Sequence, residues 1–133
     1  MKRPTRERVR KVEADHIAAI TVSRITPPVH DVVCFHCQQS AEKYLKALLQ
    51  ELGLPIIRTH DLEALLLDLL THHRSLRSLR RGLAFLTGYA VDTRYPGRNA
   101  TKRQMDAALR WAERVRSACC ALLGIRMSRR KSP

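Results

Sequence analysis

The amino-acid sequence predicts an all-α protein, an antiparallel up-and-down bundle of four to five helices. Leu, Ala and Arg dominate the 133 residues, and all three are strong helix formers. Aromatic residues make up only 5% and there are only 5 glycines, which is poor material for a β-sandwich or barrel. The length is that of one domain, and the 44% hydrophobic content is that of an ordinary globular protein. We expect this domain to cover residues 1–124.

The first two helices are predicted from apolar spacing and from the residues that end each helix. The first runs from about Arg6 to Ser23, and Pro27 and Pro28 follow it because proline cannot continue a helix. The second runs from about Asp31 to Leu52, and Gly53 stands where glycine commonly ends a helix. An apolar stripe steps along this second helix by three or four residues: Cys34, Cys37, Ala41, Leu45, Leu48 and Leu52.

Three further helices are predicted in the second half of the chain. The third runs from about His60 to His72, with Thr59 as its N-cap. The fourth runs from about Ser75 to Asp92, with an inward stripe of Leu76, Leu79, Leu83, Leu86 and Ala90. A capping-box pattern, Thr101 with Gln104, starts a fifth helix that continues to Leu123. Beyond its terminating glycine, residues 125–133 are predicted to be a basic disordered tail.

The chain is strongly basic, with 25 Lys and Arg against 12 Asp and Glu, so its formal net charge is +13. This excess favours an anionic partner: RNA, DNA, a nucleotide or an acidic protein. Basic residues cluster near both ends of the chain and at two internal places, residues 74–81 and 94–103. No apolar run approaches the ~18–20 residues of a membrane span, and the basic N-terminus leads into no apolar segment. We therefore expect a cytoplasmic protein with no membrane association.

Two cysteine pairs raise the question of a metal site, because Cys thiolates are common zinc ligands. Cys34 and Cys37 lie on the apolar stripe of the second helix, and the adjacent Cys119 and Cys120 point about 100° apart on a helix. We therefore expect the four thiols to pack in the core, with no metal and no cofactor. The sequence also has no Gly-rich phosphate loop and no serine nucleophile elbow, which excludes the familiar NTPases and hydrolases.

A candidate anion-binding cleft is predicted from two parts of the sequence. The guanidinium of Arg94 suits a phosphate, and Tyr95 can stack on a base. If the second and fourth helices are neighbours, then Gln38, Glu42 and Lys46 line the same cleft. Glu42 and Lys46 also have the favoured i,i+4 order of an ion pair. The alternative is a surface turn at residues 94–96, whose tyrosine packs back on the bundle.

Three separated motifs resemble those of the HEPN domain family. Residues 34–49, from Cys-Phe-His-Cys-Gln-Gln to Lys-Ala-Leu-Leu, are similar to the family's "cF.cQQ.aEK.lKalL" helix. Residues 59–62, Thr-His-Asp-Leu, look like its "tHdL" helix start. Residues 89–96, which end in Arg-Tyr-Pro, are similar to its "Y....RYP" segment. The motifs occur in the family's order, and the resemblance covers about residues 10–124.

The resemblance implies a small, commonly dimeric helical bundle in the cytoplasm of a prokaryote. It also implies a partner, because HEPN proteins often work beside a minimal nucleotidyltransferase as a toxin–antitoxin-like pair. With the histidine of the second motif added, the candidate nucleotide- or phosphate-binding residues are Gln38, Glu42, Lys46, His60, Arg94 and Tyr95.

The resemblance raises the question of catalysis, since many HEPN domains are metal-independent RNases with an Arg-x4–6-His motif near the last core helix. Arg94 stands near the expected place, but no histidine follows it. The pairs Arg10…His16 and Arg24…His30 have a suitable spacing in a different part of the domain. We therefore favour a nucleotide- or RNA-binding module that docks a nucleotidyltransferase, with no catalytic residue assigned. The alternatives are a metal-independent endoribonuclease toxin with a site at the dimer interface, and an unrelated basic helical RNA-binding protein.

Overall fold

The computed structural model describes residues 1–90 and 99–126, and their regular secondary structure is all helical. In chain order the helices are α1 (Arg3–Arg24), α2 (His30–Leu52), α3 (Leu62–Leu70), a 3₁₀ helix (Arg74–Leu79), α4 (Arg80–Thr87) and α5 (Lys102–Leu123). No strand occurs within those two ranges. The predicted all-α helical bundle is therefore confirmed.

The long helix α2 lies at the centre of the bundle and packs against both α1 and α5. Several of its side chains, among them Tyr44, Leu45 and Leu49, are fully buried. The α1 helix runs antiparallel to α2, because Lys2 contacts Glu51 at one end and Asp15 contacts Lys43 further along. The short helices α3 and α4 and the 3₁₀ helix cover another side of α2 and α5.

The two ends of α5 follow the sequence prediction closely. The Thr101 hydroxyl accepts a hydrogen bond from the Gln104 N–H at 3.1 Å, and the Gln104 side chain accepts one from the Thr101 N–H at 2.8 Å. This is the predicted capping box. Gly124 ends the helix in the left-handed region at φ 73°, which glycine adopts at little cost.

The predicted start of the third helix is wrong, and so are the predicted continuity and end of the fourth. The N-cap of α3 is Asp61 and not Thr59, because the Asp61 carboxylate accepts hydrogen bonds from the N–H groups of Glu63 and Ala64. The Thr59 hydroxyl instead accepts from the Asp61 N–H at 3.0 Å and so closes the turn before the helix. The predicted single helix from Ser75 to Asp92 is divided into the 3₁₀ helix and α4, and α4 already ends at Thr87.

The cysteines occupy the core, as predicted. All four thiols are free and buried. Burial raises the pKa of Cys34 and of Cys37 to about 12, so neither is a thiolate near neutral pH. Within the described residues, no group of three or more His, Cys, Asp or Glu side chains is placed to hold a metal ion.

The end of the chain is described only as far as residue 126. Ile125 donates its N–H to the Cys120 carbonyl at 2.9 Å and packs partly against the core. Residues 127–133, most of the predicted tail, lie outside the described residues, so the boundary at residue 124 stays a prediction. Across residues 1–90 and 99–126, no helix is both long and apolar enough to cross a membrane.

Candidate functional site

The structure brings four of the predicted site residues together on one side of α2. Gln38, Glu42 and Lys46 share a helix face because they are four residues apart. His60 joins them from the segment that connects α2 to α3. The Glu42 carboxylate is at the centre of this group, which we call the Glu42 cluster: Gln38, Glu42, Lys46 and His60.

Hydrogen bonds occupy both oxygens of the Glu42 carboxylate. Its Oε1 accepts from the His60 ring Nδ1 at 2.7 Å and from the Gln38 amide at 3.2 Å. Its Oε2 accepts from the Lys46 ammonium at 3.1 Å. Because Nδ1 donates to the carboxylate, the other ring nitrogen of His60, Nε2, is the one that can meet a ligand.

The members of the Glu42 cluster differ sharply in exposure. The side chain of Glu42 is only 6% exposed, whereas that of His60 is 66% exposed. Burial acts to raise the pKa of Glu42, but hydrogen bonds from His60, Lys46 and Gln38 outweigh it and hold that pKa below its ordinary value. The carboxylate is therefore ionised at neutral pH and fixes the orientation of an imidazole ring that reaches solvent.

The backbone around His60 is also held by α2. Gly53 ends α2 at φ 69°, and residues 54–60 form no helix before α3 begins. The Gln38 amide donates to the His60 carbonyl at 3.3 Å as well as to Glu42. The Gln39 amide in turn donates to the Gln38 side-chain oxygen at 2.8 Å, which fixes the orientation of the Gln38 amide. Gln39 was not predicted as a site residue, although it belongs to the same sequence motif.

The other two candidates, Arg94 and Tyr95, lie outside the described residues. The described residue Ala100 is held at the start of α2, where its N–H donates to the Asp31 carboxylate and its carbonyl contacts the His30 ring at 3.1 Å. Burial above all raises the pKa of Tyr89, and electrostatic interactions with Cys34 and Asp31 raise it further, so Tyr89 is also near this end of α2.

Comparison with known proteins agrees with this architecture. Residues 14–123 match the HEPN domain family, which is most of the chain. The chain belongs to the HEPN family. The crystal structure of an archaeal HEPN homologue is similar to it, with a TM-score of 0.73 and 25% sequence identity. That likeness covers 92% of this chain and 99% of the archaeal one. No curated protein matches the chain.

A second ionic cluster of this HEPN domain was not predicted from the sequence. Glu13 of α1 binds Arg116 of α5 through two hydrogen bonds, at 3.1 and 3.2 Å, and also accepts one from the Tyr44 hydroxyl. Burial acts to raise the pKa of Glu13, but the bonds from Arg116 and Tyr44 outweigh it and lower that pKa. Glu13 and Arg116 are 103 residues apart, and no short-range spacing signals such a pair.

The histidines of the two Arg/His pairs noted in the sequence both contact parts of the chain that are distant in sequence. His16 contacts Glu113 at 3.4 Å and is buried. His30 contacts the Ala100 carbonyl. His16 and Arg24, one member of each pair, instead line one cavity of about 290 Å³ between α1, α2 and α5.

Proposed function

We propose that this HEPN protein is a nucleotide- or RNA-binding module. The observation that carries the proposal is the Glu42 cluster, in which a buried carboxylate holds an exposed imidazole and a lysine side by side. A buried carboxylate that fixes the orientation of an exposed ring is the kind of support that preorganises a binding site. The basic composition of the chain adds a general attraction for such anions.

In this proposal the residues of the Glu42 cluster have different roles in binding a phosphate. Lys46 supplies charged N–H donors, which make the strongest hydrogen bonds to phosphate. The ring of His60, whose Nδ1–H is given to Glu42, donates to a phosphate through Nε2 in its imidazolium form. Glu42 neutralises part of their charge and orients both side chains, and Gln38 holds the backbone of His60. We propose that Arg94 adds a guanidinium fork and that Tyr95 stacks on a base.

Isothermal titration with ATP, and separately with a short single-stranded RNA, tests this function. We expect His60→Ala, Lys46→Met and Arg94→Ala each to weaken binding about tenfold, which corresponds to one charged hydrogen bond of ~1.4 kcal/mol or more. His72→Ala is the matched control, because His72 is also exposed but lies beyond the other end of α3. Unchanged affinity in all three site variants would remove the Glu42 cluster from the proposal.

A metal-independent endoribonuclease is the second candidate function, and the contact between His60 and Glu42 is what favours it. A histidine whose Nδ1 is held by a carboxylate resembles the base of a general acid–base pair. Incubation of end-labelled RNA in EDTA distinguishes the two functions. Cleavage that His60→Ala abolishes and His72→Ala retains supports the RNase, and intact RNA with all variants supports the binding module.

We propose further that the module acts as a homodimer in the cytoplasm, paired with a minimal nucleotidyltransferase. Exposed apolar side chains lie close together in the sequence at the end of α1 and the start of α2: Ile17, Ile25, Val29 and Val32. Burial of such side chains favours association. The four free cysteines suit a reducing compartment.

Light scattering after size exclusion tests the dimer. We expect twice the mass of 15.2 kDa for the natural chain and a single mass for the double variant Ile25→Asp/Val29→Asp. A monomeric natural chain would refute the dimer and leave the binding site untouched. Co-expression with a minimal nucleotidyltransferase of the same genome tests the pair, and a complex that survives size exclusion supports it.

A further inference from the structure

The sequence of the 3₁₀ helix repeats every three residues, so side chains of one type lie in a row along the helix. Residues 74–80 read Arg-Ser-Leu-Arg-Ser-Leu-Arg, so each residue type recurs every three positions. A 3₁₀ helix has three residues per turn, and side chains three apart are therefore eclipsed. The leucines Leu76 and Leu79 are buried in the core. Arg74 and Arg77 consequently lie on one edge of the 3₁₀ helix, about 6 Å apart along its axis at a rise of ~2 Å per residue, and Arg80 follows them as the first residue of α4.

The arginine row, which we define as Arg74, Arg77 and Arg80, borders a single depression in the surface. These three residues and Leu70 line it, and its volume is about 480 Å³. All three arginines are exposed. The row therefore presents three guanidinium groups to one space that is open to solvent and large enough for a ligand.

Among the described residues, a carboxylate offsets the positive charge of the arginine row only at its Arg80 end. Arg80 contacts the Glu63 carboxylate at 3.4 Å, in the first turn of α3. Among the described residues, no carboxylate lies within ion-pair distance of Arg74 or Arg77. Like charges held side by side repel each other, so an external anion is the group that would offset this arrangement. The neighbouring Arg81 adds a further positive charge.

We propose that the arginine row binds a chain of consecutive phosphates. Each guanidinium offers a planar pair of N–H donors that matches a phosphate, and the row presents one such group per helical turn. Of the described residues that line the depression, one is apolar, Leu70, and three are arginines, which favours a ligand recognised by its negative charges over one recognised by apolar groups. Such a chain is either the backbone of a single-stranded RNA or an inorganic polyphosphate.

The arginine row is separate from the Glu42 cluster and does not depend on the function proposed for it. The two sites share no residue, since His60 precedes α3 and Arg74 follows it. Arg74 lies beyond the far end of α3, a helix of nine residues that is therefore ~13 Å long, whereas Arg80 reaches the first turn of α3 through Glu63. Among the described residues, no hydrogen bond or ion pair joins the arginine row to the Glu42 cluster, so each site can be changed without removing a contact of the other.

The experiment measures fluorescence anisotropy of a labelled oligouridine of about 12 nucleotides, a length within the range of single-strand sites. The row variant is Arg74→Gln/Arg77→Gln/Arg80→Gln. The charge-matched control is Arg10→Gln/Arg110→Gln/Arg126→Gln, three exposed arginines from different parts of the chain. Thermal unfolding confirms that both variants are folded before binding is compared.

We expect the row variant to lose at least tenfold in affinity at low salt, and the control to lose much less. Three lost phosphate contacts would also reduce the slope of log K against log salt by about 2, at ~0.7 for each contact with a single strand. Equal losses in the two variants would overturn the proposal, because they would show that only net charge matters. An unchanged row variant would overturn it as well.

Competition identifies the source of the phosphates. Inorganic polyphosphate that displaces the oligouridine from the natural chain, but not from the row variant, supports a site for the phosphate chain alone. If unlabelled RNA competes and polyphosphate does not, bases or riboses are recognised and the proposed chemistry is wrong. Titration of the row variant with ATP separates the two proposals, because the Glu42 cluster is intact in it and ATP affinity should be retained.

Discussion

Two carboxylates, that of Glu13 on α1 and that of Glu42 on α2, each accept hydrogen bonds from charged or polar side chains, but the exposure of those partners differs. Both have a pKa held below its ordinary value, although burial alone would raise it. The partners of Glu13 are Tyr44 and Arg116, which lie on long helices and are 0% and 20% exposed. The partner of Glu42 from outside α2 is His60, on a connecting segment and 66% exposed. The two carboxylates therefore differ in that one partner of Glu42 is largely exposed to solvent, whereas both partners of Glu13 are mostly buried.

The largest effect expected from this comparison is on stability, from Glu13→Ala. The change leaves Arg116 without its two hydrogen bonds and the buried Tyr44 hydroxyl without its acceptor. Removal of one partner of a buried ion pair costs ~3–5 kcal/mol, and this pair is partly exposed, so we expect the free energy of unfolding to fall by about 3 kcal/mol. Urea unfolding, followed by circular dichroism, measures it.

Glu7→Ala is the control for that measurement. Glu7 also lies on α1, but its ion pair with Arg3 is on the surface, with side chains 61% and 90% exposed. Exposed pairs of this kind contribute little to stability. If Glu13→Ala were as mild as the control, the ionic cluster between α1, α2 and α5 would not stabilise the fold.

A smaller loss of stability, with a larger effect on binding, is expected from Glu42→Gln. The glutamine keeps the size of the side chain and can still accept a hydrogen bond, so we expect a loss of about 1–2 kcal/mol in unfolding free energy. The imidazole of His60 is no longer held by a negative charge. Nucleotide affinity should then fall about tenfold, as in His60→Ala.

The measurement compares the two variants by urea unfolding and by titration with ATP. Glu13→Ala, assayed at a temperature where it is folded, should bind ATP like the natural chain. If Glu13→Ala also lost ATP affinity at such a temperature, the distinction between a structural and a functional carboxylate would be wrong.

The sequence predicted most reliably those features that depend on neighbours along the chain. Thr101 and Gln104 are three residues apart, and the capping box they predict is present. The i,i+4 spacing of Gln38, Glu42 and Lys46 placed them correctly on one face of α2. The addition of His60 depended on the resemblance to the HEPN family and not on spacing.

Features that depend on contacts between distant parts of the chain were missed. The pair Glu13 and Arg116 has no local signal, because it depends on the packing of α1 against α5.

The 3₁₀ helix was predicted as the start of a longer α-helix, because leucines three residues apart fit both periods. Leu76 and Leu79 were nevertheless correctly placed in the core, since either helix buries them.

The smallest effect that sharpens the comparison is on the acid side of the pH–stability curve. The pKa of both Glu13 and Glu42 is lower in the folded protein than in the unfolded chain, so the unfolded chain binds more protons below about pH 4.5. The stability they contribute is present at neutral pH and is lost as the pH falls through their folded pKa values. Glu42→Gln has only one of these carboxylates, and between pH 7 and pH 4 it should lose less stability than the natural chain does. Urea unfolding at the two pH values measures this difference, and an identical loss would mean that Glu42 is not stabilised as an anion by His60 and Lys46.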